Sequence, residues 1–203
     1  MKKTVKIFIL LLFILSLSSK VYAVYVSDHK IAVLVNDQLI TSYDIFQRMK
    51  MNAILSGIDI TIENNDQITN SAVKELIQEK LKYEKLMEYN ISVSNDEYLQ
   101  QENNFFNNAP FSKDKILKIF EINNIKYDEF ENFLISQISW QKLISSMYYR
   151  MTSTSEIEVE EIILNNPNIT KDKAREIIIQ RQLDLKSTKM IRDMFDEATI
   201  EYK

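Results

Sequence analysis

The stretch Ile31-Ala-Val-Leu-Val-Asn-Asp-Gln-Leu-Ile-Thr-Ser-Tyr-Asp-Ile45 compresses a hairpin and the start of a helix into one short run. Ile31, Val33 and Val35 alternate with Ala32 and Leu34 as in a buried strand. Asn36-Asp37 has the composition of a two-residue hairpin turn, and Gln38-Leu39-Ile40 is the return strand. Thr41 or Ser42 then caps a helix. Thr41 followed three residues later by Asp44 is a weaker form of the capping box, which places an oxygen and a negative charge on the unpaired amides of the first turn.

Outward from this stretch the composition points to helices. The chain has 203 residues with one glycine, Gly57, and two prolines, Pro110 and Pro167, too few for the repeated turns of a many-stranded sandwich or barrel. At 45% hydrophobic residues it carries enough apolar side chains for a core. A first helix is expected from about Ser42 to Ser56, with Ile45, Met49, Met51 and Ile54 near one side and Gly57 as its stop. A longer one covers about Ile68 to Tyr89, with Val73, Leu76, Ile77, Leu81 and Leu86 inward and Asn90 as a left-handed stop.

Ser94 with Glu97 is a capping box for a third helix through about Phe106, and Ser112 caps a fourth from Lys113 to Ile122, broken by Asn123-Asn124. A fifth runs from about Asp128 to Arg150. Ser155 with Glu158 caps a short helix to Asn165. Thr170 caps a last helix to about Asp196, whose apolar side is Ile177, Ile178, Leu185, Met190, Ile191, Met194 and Phe195. Ala198 to Tyr202 alternates like a strand. A two-stranded hairpin is marginal in water, so hairpin and terminus are expected to pair. The predicted fold is mainly α: a multi-helix domain with a small β-hairpin closed by a C-terminal strand.

The amino terminus reads as a signal peptide over residues 1–23. Lys2, Lys3 and Lys6 precede an apolar run from Ile7 to Leu17, and Val21-Tyr22-Ala23 suits cleavage after Ala23. The run falls well short of the roughly 20 apolar residues that span a bilayer, so no stable membrane insertion is expected after cleavage. Four lysines and no acids leave with this segment, which takes the formal charge from −4 to −8. An acidic chain without a basic stripe repels phosphate backbones, and nucleic-acid binding is not expected. With no cysteine, disulfides and thiol catalysis are excluded.

No catalytic, cofactor or metal constellation emerges. His29 is the only histidine and lies near the mature start, away from any serine and orienting acid. Zinc would have carboxylates alone, and Glu156, Glu158, Glu160 and Glu161 read better as a helix start and its solvated face. Phosphate-cradling glycine loops are absent.

In this order, Ile31 to Thr41 leading into a helix, Leu76-Ile-Gln-Glu-Lys-Leu81 followed by Ile91-Ser-Val-Ser-Asn-Asp-Glu97, Tyr127-Asp-Glu-Phe130 opening a long helix, and Ala174-Arg175 through Ala198-Thr-Ile-Glu-Tyr-Lys203 resemble the SurA family of periplasmic chaperones for outer-membrane proteins. The resemblance implies an N-terminal chaperone domain over 24–165 and a C-terminal helix and strand over 170–203 docking on it. It departs from the family at Asn166-Pro-Asn-Ile169, which joins the short helix directly to the last one where relatives usually carry parvulin-type prolyl isomerase domains. The family reading is therefore an ATP-independent periplasmic chaperone for unfolded outer-membrane proteins or peptides, not an enzyme. The alternatives are an isomerase relative or a helical adaptor for a folded periplasmic partner.

A chaperone of this kind needs exposed apolar surface. Phe105-Phe106 and Tyr148-Tyr149 are adjacent pairs that cannot easily face one core together, so one member of each is expected outside. With Phe111, Phe120 and Trp140, and with Met49 and Met51 as adaptable side chains, they form the expected peptide-binding set.

Overall fold

The computed structural model describes residues 29–203, so the signal-peptide expectation for residues 1–23 lies outside them. Strands β1 (Ile31–Val35) and β2 (Gln38–Thr41) form the expected hairpin, with Val33 opposite Ile40, Leu34 opposite Leu39, and an irregularity between Ile31 and Val33. Asn36 takes the left-handed conformation the tight turn requires, at φ 51°. Strand β3 (Ile200–Tyr202) pairs antiparallel with the other edge of β1, giving the order β2-β1-β3. Asn36 fastens this closure: its amide donates to the Thr199 carbonyl at 2.8 Å, and its side-chain oxygen accepts from the Thr199 amide at 3.0 Å.

Helix α1 (Ser42–Ser56) starts on a complete Thr41–Asp44 capping box and stops at Gly57, which is left-handed at φ 66°. A Cβ there would meet the Pro110 ring at 3.3 Å, so the position restricts both conformation and space. Helix α2 (Asn65–Tyr89) begins a little earlier than expected, because Asn64 at its start makes no side-chain cap that would mark the boundary. It ends on left-handed Asn90. Helices α3 (Asn95–Asn108) and α6 (Glu156–Asn165) open on the expected capping boxes, and α7 (Lys171–Glu197) opens on Thr170. Ser112 precedes α4 (Lys113–Ile122), although its hydroxyl makes no cap bond. Helix α5 (Tyr127–Tyr148) tightens into a 3₁₀ turn over Tyr149–Met151.

The sheet buries Val33, Val35 and Ile40 against Leu76, Ile77 and Leu81 of α2, with Met194 and Phe195 of α7 beside them. A second cluster gathers Met51, Ile116, Phe120, Ile125, Phe130 and Leu134. The third joins α5 to α7 through Trp140, Leu143, Ile144 and Leu183, and the Trp140 indole N–H donates to Ser187 Oγ at 2.8 Å. The hairpin of α6 and α7 closes over Val159, Ala174 and Ile178. One expectation for α7 is corrected here: Leu185 points to solvent, and Leu183, four residues after Ile179, takes the inward place.

Candidate binding cleft

Three helices expose half-polar stripes to a common space. On α1 the stripe is Tyr43, Gln47 and Met51, four residues apart, with Asp44 and Arg48 beside it; on α2 it runs from Leu76 through Glu79, Tyr83 and Met87 to Asn90; on α5 it is Glu129, Phe133, Ser136 and Ser139. Each follows the three-or-four spacing that puts side chains on one helix face. Between them, with Gln38 and Ile40 of β2 at one end, lies an open cleft of about 760 Å³. Its rim is apolar and accessible, with Tyr83 56% and Met87 60% exposed.

The cleft divides at a saddle from a second hollow of about 710 Å³, since Glu79, Phe133 and Ser136 line both. Buried Arg48 ties the saddle together. Its guanidinium meets Glu79 through two bonds, Nη1 to Oε1 at 2.5 Å and Nη2 to Oε2 at 2.8 Å. Glu75 stands 3.7 Å away, and the Phe133 ring centroid is 5.5 Å from the guanidinium carbon. Burial works against the charge on Arg48, but the hydrogen bond to Glu79 and the carboxylates of Glu79, Glu75 and Glu129 outweigh it and raise the pKa above the ordinary value. The pair thus braces α1 against α2 as a fixed, charged strut. Gln38 joins β2 to α2 by donating to the Lys80 carbonyl and to Glu84.

The residues expected to bind peptide are scattered by the fold. Met51 borders the main cleft, Phe105 the second hollow, and Tyr148 a small pocket against α7. Met49, Met51, Phe120 and Trp140 are buried, and Phe111 packs half-buried against the cluster around Phe130. For Phe105 and Phe106 the pair argument does not hold: both rings converge on Phe130, with centroids 5.0 and 5.3 Å from it. Tyr149 is exposed and Tyr148 packs on the third cluster. Tyr43, Gln47, Tyr83, Met87 and Ile135 also line the cleft, and the sequence carries no signal for this because their helix faces mix polar and apolar residues and read as ordinary surface.

Beneath α3, burial pushes the Glu102 carboxyl up, but hydrogen bonds from Lys113, Tyr127 and Tyr98 outweigh it and hold it below its ordinary value. Tyr98 in turn is pushed up to about 12, chiefly by burial. Every polar end in this cluster is partnered, which marks a structural clamp between α3, α4 and α5. Among the described residues no group of histidine and acidic side chains could hold a metal ion, and no helix is long and apolar enough to cross a membrane.

Comparison with curated protein sequences finds no match. Among solved structures, the chain is similar to one from work on the virulence factor PEB4 and the periplasmic protein Cj1289, two structurally related SurA-like chaperones of Campylobacter jejuni. Identity is 15%, the TM-score is 0.48, and the match covers 85% of this chain and 98% of that one. The family described as SurA-like N-terminal domain matches residues 1–144, most of the sequence and every element from β1 through most of α5. The protein belongs to the SurA-like N-terminal domain family.

Proposed function

We propose that this protein is an ATP-independent periplasmic chaperone that holds unfolded outer-membrane proteins in the cleft between α1, α2 and α5. The observation that carries the reading is the cleft itself: a large concave space with an accessible apolar rim at Tyr83 and Met87, in a chain of a chaperone family. A methionine on such a rim adapts to many side chains, which suits varied clients. The reading includes export with signal cleavage after Ala23, and α7 with β3 serving as part of the same chaperone unit as residues 24–165.

The test is suppression of aggregation of an unfolded barrel protein by the mature chain. Replacing Tyr83 and Met87 together by serine is expected to weaken holding severalfold while the melting temperature stays within a few degrees, because both side chains already face solvent. Undiminished holding by that variant refutes the site. A proline-peptide isomerisation assay run alongside is expected to stay at background, and catalysis that disappears on mutating His29 refutes the non-enzymatic reading.

A further inference from the structure

The second hollow holds a cation that no neighbouring carboxylate pairs with. Lys82 of α2 stands half-buried in its wall and forms no hydrogen bond or ion pair among the described residues. Its ammonium lies instead 5.4 Å from the centre of the Trp140 ring. Burial pushes its pKa below the ordinary value, and the pull of Glu79 offsets this only in part. The two acids of the lining are engaged elsewhere, Glu79 by Arg48, and Glu75 by Asn52 at 2.8 Å, Ser71 at 3.1 Å and Arg48 at 3.7 Å. Gln78 lies one helical turn before Lys82, and Ser136 and Gln137 lie one turn before Trp140. The side chains of these three make no hydrogen bond among the described residues, so with Lys82 they form a set of free donors. Apolar walls come from Leu55, Ile58, Ile68 and Phe105, and Ile58, 52% exposed, gives the hollow an accessible lip.

We propose that the second hollow is a carboxylate site, in which Lys82 receives the terminal carboxylate of an unfolded client chain whose last, largely apolar residues lie along α2. This rests on the chaperone reading of the protein and adds a second point of contact, across the Arg48–Glu79 saddle from the main cleft. An unpaired ammonium partly withdrawn from water is costly, and a carboxylate brought to it gains more than in bulk solvent because the surroundings screen less. Gln78 and Gln137 supply further donors for the carboxylate oxygens. The lining also fixes which carboxylate is read. Along α2 it runs from Asn64 through Ile68 to Lys82 and stops there, so a segment on the apolar wall meets the cation at its end. An acidic side chain in mid-segment would leave half of that segment beyond the wall. From Ile68 to Lys82 the distance is about 21 Å at the helical rise, room for about six residues of extended chain at about 3.3 Å each.

The probe is a synthetic peptide of about ten residues alternating apolar and neutral polar side chains, as one membrane strand of a barrel does, labelled at its amino end. It is made in three forms: with a free terminal carboxylate, with a terminal amide, and with a terminal amide and one glutamate in the middle. Binding to the full mature protein, to Lys82→Met and to Lys82→Arg is measured by anisotropy, and unlabelled peptide is followed through Trp140, the one tryptophan of the chain. Wild type is expected to bind the free acid about tenfold more tightly than the amide, the worth of one charge-assisted hydrogen bond. That preference should narrow as salt rises, and only the free acid should shift the Trp140 emission. Lys82→Met should bind acid and amide alike, at the level of the wild-type amide, whereas Lys82→Arg keeps the preference. Equal binding of acid and amide by wild type, or a preference that survives in Lys82→Met, overturns the assignment and leaves the main cleft as the client site; the wild-type comparison holds whether or not the variants fold. The mid-segment glutamate form binding as tightly as the free acid overturns the terminal reading. No binding of any form by wild type removes the chaperone reading, and this inference with it.

Discussion

The role of α7 as part of the core is tested most sharply by two leucines two residues apart. Leu183 is 5% exposed, against Trp140, Leu143 and Ile144 of α5; Leu185 is 66% exposed. Leu183→Ala removes buried methyl groups from a site whose walls cannot collapse freely, since Trp140 is pinned by its bond to Ser187. Such truncations cost about 2–5 kcal/mol, lost transfer energy plus the cavity left behind. Against a typical total of about 5–15 kcal/mol this is a large share, and at about 2–4 °C per kcal/mol it lowers the melting temperature by about 4–20 °C. Leu185→Ala should stay within about 0.5 kcal/mol of wild type. Urea unfolding monitored by Trp140 fluorescence and by far-UV dichroism reads both. If the two variants unfold at the same denaturant concentration, α7 is not packed on α5 and the description of the third cluster is wrong.

A chain ending at Asn168 loses α7 and β3 together, and is expected to be insoluble or molten, with partial recovery of cooperative melting when a peptide of residues 170–203 is added; a sharp, undiminished melt refutes the docking. Replacing Phe105 and Phe106 together by serine should cost folding and not merely client binding, because both rings pack on Phe130; an intact melting transition with lost binding would show the opposite. Hydrogen bonds from Lys142 and from the Ser94 amide and hydroxyl hold Glu97 at a pKa of about 2. A depressed carboxylate contributes stability above its unfolded pKa that fades as pH falls toward the folded one, so Glu97→Gln should flatten the acid limb of stability between about pH 4.5 and pH 2 in thermal melts, and an unchanged limb would rule the contribution out.

The elements were legible because their signals are local. Thr41 with Asp44, Ser94 with Glu97 and Ser155 with Glu158 each write a helix start in a few residues, and Gly57 and Asn90 write the stops. The pairing of β3 with β1 was legible for another reason: an edge that cannot stand alone needs a partner, and only one other segment had strand character. The site was not legible. A cleft exists where helix faces are held apart, and spacing along one helix says which residues share a face, not how far the next helix stands from it. The burial of both Phe105 and Phe106 is hidden from the sequence for the same reason: adjacent rings share a core only where a third side chain, here Phe130, packs against both.

The place of β3 beside β1 also constrains the order in which the protein assembles. Asn36 and Thr199 are 163 residues apart in the chain. Joining them directly from an unfolded chain carries a loop-closure cost of about 4.5 kcal/mol, more than a strand of three residues returns by itself. The strand therefore arrives as the tail of an already docked α7, which brings its end within reach of β1 before any rung of that ladder forms. Until then β1 presents an open edge, the structure most prone to recruit another chain. On the proposed function, a protein that shelters other unfinished chains is itself most vulnerable during the interval between the folding of its hairpin and the arrival of its last few residues.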